Sequence, residues 1–225
     1  MRIISLVPSV TETLLEWGIE PVACTRFCEQ PGLAHVGGTK NPDLEAILAL
    51  RPDLVVMERE ENRREDYDAL CGSGVEVLAL SVRGVEDVAT ALTALAARVG
   101  VTWTTPTATP ARPLRRTAFV PIWRRPYMAL GTPTYATSML SRLGVANVYT
   151  DADGPYPSVT LEEAAARRPD VVLAPSEPYP FADRHRPELE SVAPCVFVDG
   201  QDLFWWGTRT AGAAQRLGEI LDALA

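Results

Sequence analysis

One pattern of apolar and polar residues occurs twice along the chain, at positions 44–56 and 161–173. Each copy starts with Leu-Glu, continues to Arg-Pro-Asp, and ends in an uninterrupted apolar run. The first part is typical of a short helix, because proline forces the residue before it out of helical geometry. A short apolar run bounded by turn residues predicts a buried strand. The repeat therefore predicts two similar α/β units.

Hydrophobic periodicity extends this prediction to the residues around each copy. Strands that alternate with helices require crossover connections, so both units are predicted to hold mainly parallel sheets. The predicted strands are 3–7, 21–24, 54–57, 75–80, 117–122, 146–149, 171–174 and 195–198, and the predicted helices are 10–17, 43–50, 62–71, 134–143, 160–167, 183–191 and 208–224.

Three helix starts carry capping signals. Ser9 with Glu12 and Thr160 with Glu163 have the spacing of a capping box, in which each residue's side chain binds the other's backbone N–H. Asn41-Pro42-Asp43 has the order of a cap, a first-turn proline and a carboxylate. We expect helices to begin at all three places.

The two units are joined by a segment of different composition. Residues 85–99 carry an apolar stripe at helical spacing, which predicts an amphipathic connecting helix. Residues 101–116 are rich in threonine and proline and predict a semi-rigid surface crossing. The expected domains are an N-terminal lobe at 1–84, a connector at 85–116 and a C-terminal lobe at 117–225.

Composition and charge exclude several classes of function. The chain has 225 residues, 47% of them hydrophobic, and a net charge of -8. Binding to nucleic-acid phosphates or to an anionic membrane needs a local excess of Lys and Arg, and the sequence shows no basic stripe. We therefore expect neither nucleic acid nor a membrane surface as a partner. We also expect no membrane insertion, because no apolar stretch reaches about 18 residues.

The start of the chain gives an expectation about location. Met1 leads directly into the predicted strand at 3–7, with no charged region, apolar signal segment or lipid-anchor cysteine before it. As written, the sequence predicts a cytoplasmic protein. An extracytoplasmic location remains open if the native start lies further upstream.

Catalytic and metal-binding patterns are sparse. The histidines are His35 and His185, which rules out a three-histidine metal site, and no nucleotide-binding or nucleophile-elbow motif is present. We expect no enzyme, no catalytic residues and no resident metal. The cysteines are predicted to be reduced and partly buried, with a redox or metal role for Cys24 and Cys28 left open.

Aromatic side chains are concentrated in the predicted loops. Core aromatics belong on strands and inner helix faces, so this bias indicates a binding wall for a flat or bulky apolar ligand. The alternative is that the rings only fasten the loops to the lobes. Nine of the sixteen rings are involved, namely Phe27, Trp123, Tyr127, Tyr156, Tyr179, Phe181, Phe204, Trp205 and Trp206.

Arginines accompany these rings. Their guanidinium groups suit ligand carboxylates or amides, although solvated surface is the alternative for each. The arginines concerned are Arg124, Arg125, Arg184, Arg186 and Arg209.

Two further motifs give the chain a family resemblance. Residues 2–12 read R-I-I-S-L-V-P-S-V-T-E, and residues 37–55 read G-G-T-K-N-P-D-L-E-A-I-L-A-L-R-P-D-L-V. With the repeat and the connector, these motifs resemble the helical-backbone, class III substrate-binding proteins of ABC importers, over nearly the whole chain. The cobalamin-binding branch and the related helical-backbone metal receptors are the most similar.

The resemblance implies a fold and a function. It implies two Rossmann-like lobes joined by one long helix, with a ligand held between them and delivered without covalent chemistry. It also implies a monomer that docks on an ABC permease through one glutamate of each lobe, here Glu45 and Glu162. Thr39 and Glu58 stand where the resemblance implies tryptophans.

The leading hypothesis is a non-enzymatic receptor for a corrinoid or another metal chelate. Its expected ligand-binding residues are Phe27, Trp123, Tyr127, Tyr156, Phe181, Phe204, Trp205, Trp206 and Arg209. One alternative is a cytoplasmic enzyme or regulator on the same shell, using the acids Glu29, Glu58, Asp151, Asp153 and Glu177. Another alternative is a docking module whose acidic surface meets a basic partner.

Overall fold

A computed structural model describes residues 1–104 and 110–224. The chain divides into two compact units, the first made of 1–82 and 86–105 and the second of 83–85 and 106–225. The predicted Thr/Pro-rich crossing lies partly outside the described residues. Within the described ranges, no helix is both long and apolar enough to cross a membrane.

The first unit is an α/β sandwich around a parallel sheet of strand order β3-β2-β1-β6-β7. Its strands are β1 (Ile3–Ser5), β2 (Ala23–Cys24), β3 (Ala34–His35), β4 (Gly37–Gly38), β5 (Asn41–Pro42), β6 (Leu54–Glu58) and β7 (Val77–Leu80), and its helices are α1 (Pro8–Glu16), α2 (Leu44–Ala49), α3 (Arg64–Gly72) and α4 (Val85–Val99). Strands β4 and β5 form a separate antiparallel pair. The predicted connecting helix is therefore α4.

Two of the three helix starts differ from the prediction. Ser9 and Glu12 form no capping box, because α1 starts at Pro8 and its cap, Val7, contributes no side-chain hydrogen bond. Proline needs no partner for a backbone N–H at that position, so the helix starts there without the box. At the second start Asp43 is the cap, and its carboxylate accepts the N–H of Ala46 at 3.0 Å.

The second unit contains a parallel sheet of strand order β11-β8-β13-β14 and an antiparallel sheet of order β12-β10-β9. Its strands are β8 (Arg116–Phe119), β9 (Pro121–Trp123), β10 (Tyr127–Ala129), β11 (Val145–Asn147), β12 (Ser158–Val159), β13 (Val171–Pro175) and β14 (Cys195–Val198), and its helices are α5 (Tyr135–Arg142), α6 (Leu161–Ala166), α7 (Arg186–Leu189), α8 (Gly200–Phe204) and α9 (Thr210–Asp222). The capping box of Thr160 and Glu163 is confirmed.

The single strand predicted at 117–122 is wrong. The chain leaves the parallel sheet after Phe119 and continues as β9, which pairs with β10 instead. Pro121 has no backbone N–H, so it cannot donate a hydrogen bond to a continued parallel ladder. After this break, the following residues, including Trp123, belong to a separate antiparallel sheet.

The helix predicted at 183–191 is also shorter in the structure. A 3-10 turn at Asp183–His185 precedes the four-residue helix α7, which has proline in its first turn. The loop predicted after β14 contains the short helix α8. Asp199 caps this helix, and its carboxylate accepts the N–H of Gln201. The α/β class with mainly parallel sheets is confirmed.

Both copies of the repeat adopt the same local structure. Arg51 and Arg168 precede the prolines and have left-handed φ values of 45° and 53°. In the first unit Asp53 accepts the backbone N–H of Arg2 at 2.5 Å. In the second, Asp170 accepts the backbone N–H of Thr117 at 2.7 Å. The repeated aspartate thus fastens the start of one strand to its neighbour in each unit.

Candidate functional site

Four aromatic rings of the second unit form one connected group, which we call the aromatic patch: Trp123, Tyr127, Tyr179 and Phe181. Trp123 meets Tyr179 edge-on at 5.8 Å between ring centroids, and Tyr179 meets Phe181 at 4.7 Å. Tyr127 stacks on Phe181 at 6.5 Å. Tyr179 follows the carboxyl end of β13 in the parallel sheet, which is the region where open α/β sheets bind ligands, and Trp123 ends β9 of the antiparallel sheet.

Trp123 is the most exposed residue of the patch, at 44% exposed. Tyr127 and Tyr179 are half-buried, whereas Phe181 is buried in the hydrophobic core of the second unit. Phe181 therefore supports the two tyrosines from below, and Trp123 offers the open ring. An exposed indole held by a neighbouring ring is a ready stacking surface.

A partly buried ion pair lies at the edge of the patch. The guanidinium of Arg124 donates two hydrogen bonds to Glu188, at 3.0 and 2.8 Å. Burial opposes ionisation of Glu188, but the hydrogen bonds from Arg124 keep the pKa of Glu188 below its usual value. Burial and the nearby Glu188 raise the pKa of Tyr127 to about 12. The phenol of Tyr127 thus stays protonated over the physiological range.

His185 packs against the patch, and its contacts give it a structural role. Its ring contacts Tyr179 and Phe181 edge-on, at 5.5 and 5.6 Å. Nδ1 of His185 accepts the N–H of Ala182 at 3.1 Å. Burial, followed by the charges of Arg184 and Arg124, lowers its pKa, so the imidazole is neutral at physiological pH.

The Phe204–Arg209 segment of the second unit is fixed by a buried carboxylate. Asp202 is 3% exposed and accepts hydrogen bonds from Arg209 at 2.9 Å and from Arg216 at 2.6 and 2.7 Å. Arg209 also lies over the ring of Trp205, at 5.4 Å from its centroid. Trp206 is buried, at 4% exposed. Arg209 therefore orders the tryptophan segment through contacts within the protein.

The remaining predicted ligand residues differ in exposure. Tyr156, Phe204 and Trp205 are half-buried, and Phe27 is 48% exposed. Phe27 belongs to the 3-10 turn Arg26–Cys28 of the first unit, where the Arg26 guanidinium covers one face of the ring at 4.8 Å. The structure thus brings Trp123, Tyr127 and Phe181 together and leaves Phe27 on a separate unit.

The first unit has a cavity of about 500 Å³ beside the end of β6, lined in part by Glu58, Asn62, Arg63 and Tyr67. Glu58 is 2% exposed, and its carboxylate accepts the N–H groups of Glu60, Glu61 and Val82. A buried carboxylate that accepts hydrogen bonds from this number of donors has a structural role. The sequence suggested Glu58 as a functional acid and gave no signal for this role.

Asn62 completes the same arrangement. Its Oδ1 accepts the N–H of Glu58 at 2.8 Å, and its Nδ2 donates to the carbonyls of Leu6 and Thr39 at 3.2 and 3.0 Å. One buried amide therefore ties together the loops that follow β1, β4 and β6. Across residues 1–104 and 110–224, no group of three or more His, Cys, Asp or Glu side chains could hold a metal.

The two predicted docking glutamates have matching positions. Glu45 lies in the first turn of α2 and Glu162 in the first turn of α6, and both are exposed. In each helix a different residue supplies the cap, Asp43 in α2 and Thr160 in α6. Neither glutamate is therefore required to cap its own helix.

Comparison with known proteins shows which proteins the chain is similar to. Residues 3–102 match the family described as periplasmic binding protein. The vitamin B12-binding protein of Pectobacterium carotovorum is 25% identical over 99% of this chain and 89% of its own length. The resemblance to helical-backbone substrate-binding proteins is confirmed.

Solved structures agree in fold. The periplasmic vitamin B12-binding protein of Vibrio cholerae superposes with a TM-score of 0.78 and 17% identity, over 99% of this chain and 96% of that one. A periplasmic heme-binding protein in complex with two hemes superposes with a TM-score of 0.81 and 24% identity, over 100% and 99% of the two chains. Binding proteins of this kind carry their cargo unchanged, and the prediction that the chain is not an enzyme is confirmed.

The expected cytoplasmic location is wrong. The matched family and the two superposed structures are periplasmic, so the relatives are extracytoplasmic proteins. The expectation relied on the first residues of the chain, and these form β1 of the fold. Residues that build a strand carry no information about export.

Proposed function

We propose that this protein binds a metal chelate of the corrinoid or porphyrin class and delivers it to an ABC importer. The observation that carries the proposal is the aromatic patch, with Trp123 exposed and its neighbours fixed from below. Kinship supports the ligand class, because relatives with the same fold bind vitamin B12 or heme.

The chemistry of the patch suits a large planar ligand. Rings stack on aromatic faces through offset or edge contacts, and each such contact adds about 0.5 to 1.5 kcal/mol beyond the buried area. The two phenols and the Arg124–Glu188 pair supply polar groups at the edge of the patch. Corrins and porphyrins combine a broad apolar face with peripheral amides or carboxylates, which matches this combination.

The other residues predicted to bind the ligand are assigned different roles according to their exposure. Phe27, Tyr156, Phe204 and Trp205 have exposed or half-buried rings and are proposed as further contacts. Phe181 and Trp206 are buried, so we propose that they position their neighbours. Arg209 pairs with Asp202 and is proposed to hold the tryptophan segment in place.

The test is a binding titration, which is monitored by tryptophan fluorescence and by calorimetry. Cyanocobalamin, cobinamide, haemin and a ferric siderophore are titrated separately into the protein. The proposal predicts a dissociation constant in the micromolar range or tighter for a corrinoid or haemin. If every chelate binds no more tightly than millimolar, the proposal is wrong. Selective binding of the siderophore would reject the corrinoid and porphyrin classes and point to a different cargo.

Delivery requires a second partner. We propose that Glu45 and Glu162 each meet an arginine of the permease, because both are exposed, occupy equivalent helix turns and do not cap their own helices. A charge pair across such an interface affects recognition and association rate more than affinity. We further propose that the receptor is a monomer, with no nucleic acid or membrane contact of its own.

A further inference from the structure

The cavity of the first unit is distinct from the aromatic patch, which belongs to the second unit. Its volume is about 500 Å³, and its lining includes residues of β6, β7 and α3 and of the loop that follows β6. Sites that hold small molecules in proteins span roughly 300 to 1,000 Å³. The chemistry of the lining side chains therefore indicates which kind of molecule the cavity suits.

One wall of the cavity is apolar. Met57 of β6 and Ala79 of β7 are register partners in the parallel sheet, so their side chains lie on the same face of it. Tyr67 of α3 adds a half-buried ring, and the Arg64 guanidinium lies 5.6 Å from the centroid of that ring. This wall suits the hydrocarbon body of a ligand.

Two arginines that line the cavity are already paired with acids of α3. Arg63 donates two hydrogen bonds to Asp66, at 2.9 and 3.0 Å, and Arg64 pairs with Asp68 at 2.9 Å. Glu58 also lines the cavity, but its carboxylate accepts three backbone N–H groups. The charges of these side chains are therefore compensated within the protein.

Arg59 is the remaining cation of the cavity. Its backbone N–H donates to the carbonyl of Leu80 at 3.1 Å, which continues the ladder between β6 and β7 by one residue. Since Arg59 follows Met57 by two positions in this extended segment, its side chain lies on the same face of the sheet. The residue is exposed, and its guanidinium forms no hydrogen bond or ion pair with any residue that the structure describes. The cavity thus combines an apolar wall with one uncompensated positive charge.

We propose that this cavity binds a small organic monocarboxylate with an apolar body, and that Arg59 is the cation that anchors it. A planar guanidinium donates two parallel hydrogen bonds to a carboxylate, which fixes the orientation of the acid as well as its position. The apolar body then lies against Met57 and Ala79. A single uncompensated cation favours a monoanion over a dianion or trianion. This site does not depend on the proposed chelate, whose binding surface is the aromatic patch of the second unit.

Equilibrium dialysis of the full chain at neutral pH tests the proposal. The probes are naphthylacetate, its neutral amide naphthylacetamide, and acetate, which carries the charge without the apolar body. We expect naphthylacetate to bind with one-to-one stoichiometry and about tenfold more tightly than either other probe. Equal affinities for the acid and the amide would overturn the role of the charge. Failure to retain naphthylacetate at millimolar concentration would overturn the site.

Variants locate the bound probe. Arg59→Gln should weaken naphthylacetate binding about tenfold, whereas Arg51→Gln, a change of another exposed arginine of the first unit, should not. Ala79→Leu fills part of the cavity and should also reduce binding, with its urea midpoint showing that the chain is folded. If Ala79→Leu does not fold, Arg59→Gln decides, because Arg59 is exposed.

Trp123→Ala separates this site from the aromatic patch. The substitution should leave naphthylacetate binding unchanged, because Trp123 belongs to the antiparallel sheet of the second unit. Loss of binding in Trp123→Ala together with normal binding in Arg59→Gln would place the probe on the aromatic patch and overturn the proposal.

Discussion

Asp170 and Thr117 are joined by hydrogen bonds at the point where the repeated Arg-Pro-Asp turn meets the first strand of the second unit. Oδ2 of Asp170 accepts the Thr117 backbone N–H at 2.7 Å and the Thr117 hydroxyl at 2.8 Å. Asp53 makes the corresponding contact with the N–H of Arg2 in the first unit. The spacing shared by the two copies of the repeat thus has a structural role within each sheet.

Asp170→Ala should destabilise the second unit by about 0.5 to 1.5 kcal/mol, because Asp170 is exposed and water can replace its carboxylate as acceptor for the two Thr117 donors. Urea unfolding measures the loss, with Asp153→Ala, an exposed aspartate of the same unit, as the control. Hydrogen bonds from the Thr117 backbone and side chain lower the pKa of Asp170. The contribution is therefore present above the unfolded pKa of about 4 and lost as pH falls through the folded pKa. An unchanged difference between variant and parent at low pH would contradict the role of the charge.

Glu58→Gln should destabilise the first unit by about 1 to 3 kcal/mol. The amide would place N–H donors against the backbone N–H groups that the carboxylate now accepts. Glu65→Gln, whose side chain is 69% exposed, is the matched control and should leave stability nearly unchanged. Equal midpoints of urea unfolding for the two variants would reject the structural role of Glu58.

Asp202→Ala should cost about 3 to 5 kcal/mol, because it leaves the charge of Arg209 buried without its partner. The double variant Asp202→Ala/Arg209→Met should recover part of this loss. Asp222→Ala, which breaks the exposed pair with Arg112, should cost about 0 to 1 kcal/mol. Thermal unfolding separates these expectations, and equal effects of Asp202→Ala and Asp222→Ala would contradict them.

The same carboxylate predicts a pH dependence. Hydrogen bonds from Arg216 and then Arg209 outweigh burial and lower the pKa of Asp202. Its stabilising contribution is therefore complete above about pH 4 and declines as pH falls through the depressed folded pKa. We expect the parent protein to lose more stability than the Asp202→Ala variant between neutral and acidic pH, as followed by urea midpoints.

Trp123→Ala should weaken chelate binding by about tenfold, corresponding to about 1.4 kcal/mol. Because Trp123 is exposed, the substitution should change the free energy of unfolding little. Leu114→Ala, another exposed apolar residue of the second unit, is the control and should bind normally. Retained affinity in Trp123→Ala would remove this ring from the proposed ligand surface.

Glu45→Arg and Glu162→Arg should each reduce chelate uptake by the reconstituted importer several-fold while leaving the binding titration unchanged. A reversed charge repels an arginine on the permease. Glu20→Arg, an exposed change outside the repeated helices, serves as the control. A loss of ligand affinity in either variant would show that the glutamates act through the binding surface instead of docking.

The sequence by itself determined the duplicated α/β architecture. The Arg-Pro-Asp turns, the buried strands after them and the capping box at Thr160 are local features, since each depends on residues a few positions apart. Such features can be predicted from spacing alone. The candidate aromatic residues were also visible, because their types and loop positions needed no tertiary contact to identify.

Only the tertiary structure decided which of these residues face solvent and which charges are buried. Phe181 and Trp206 are internal, and Glu58 and Asp202 are held by partners from other segments, such as Val82 and Arg216. Exposure and ionisation depend on which distant atoms converge on a side chain, and spacing along the chain does not encode that convergence locally. The antiparallel sheet that carries Trp123 is likewise completed by a distant segment, because β12 pairs with β10 through Val159 and Tyr127.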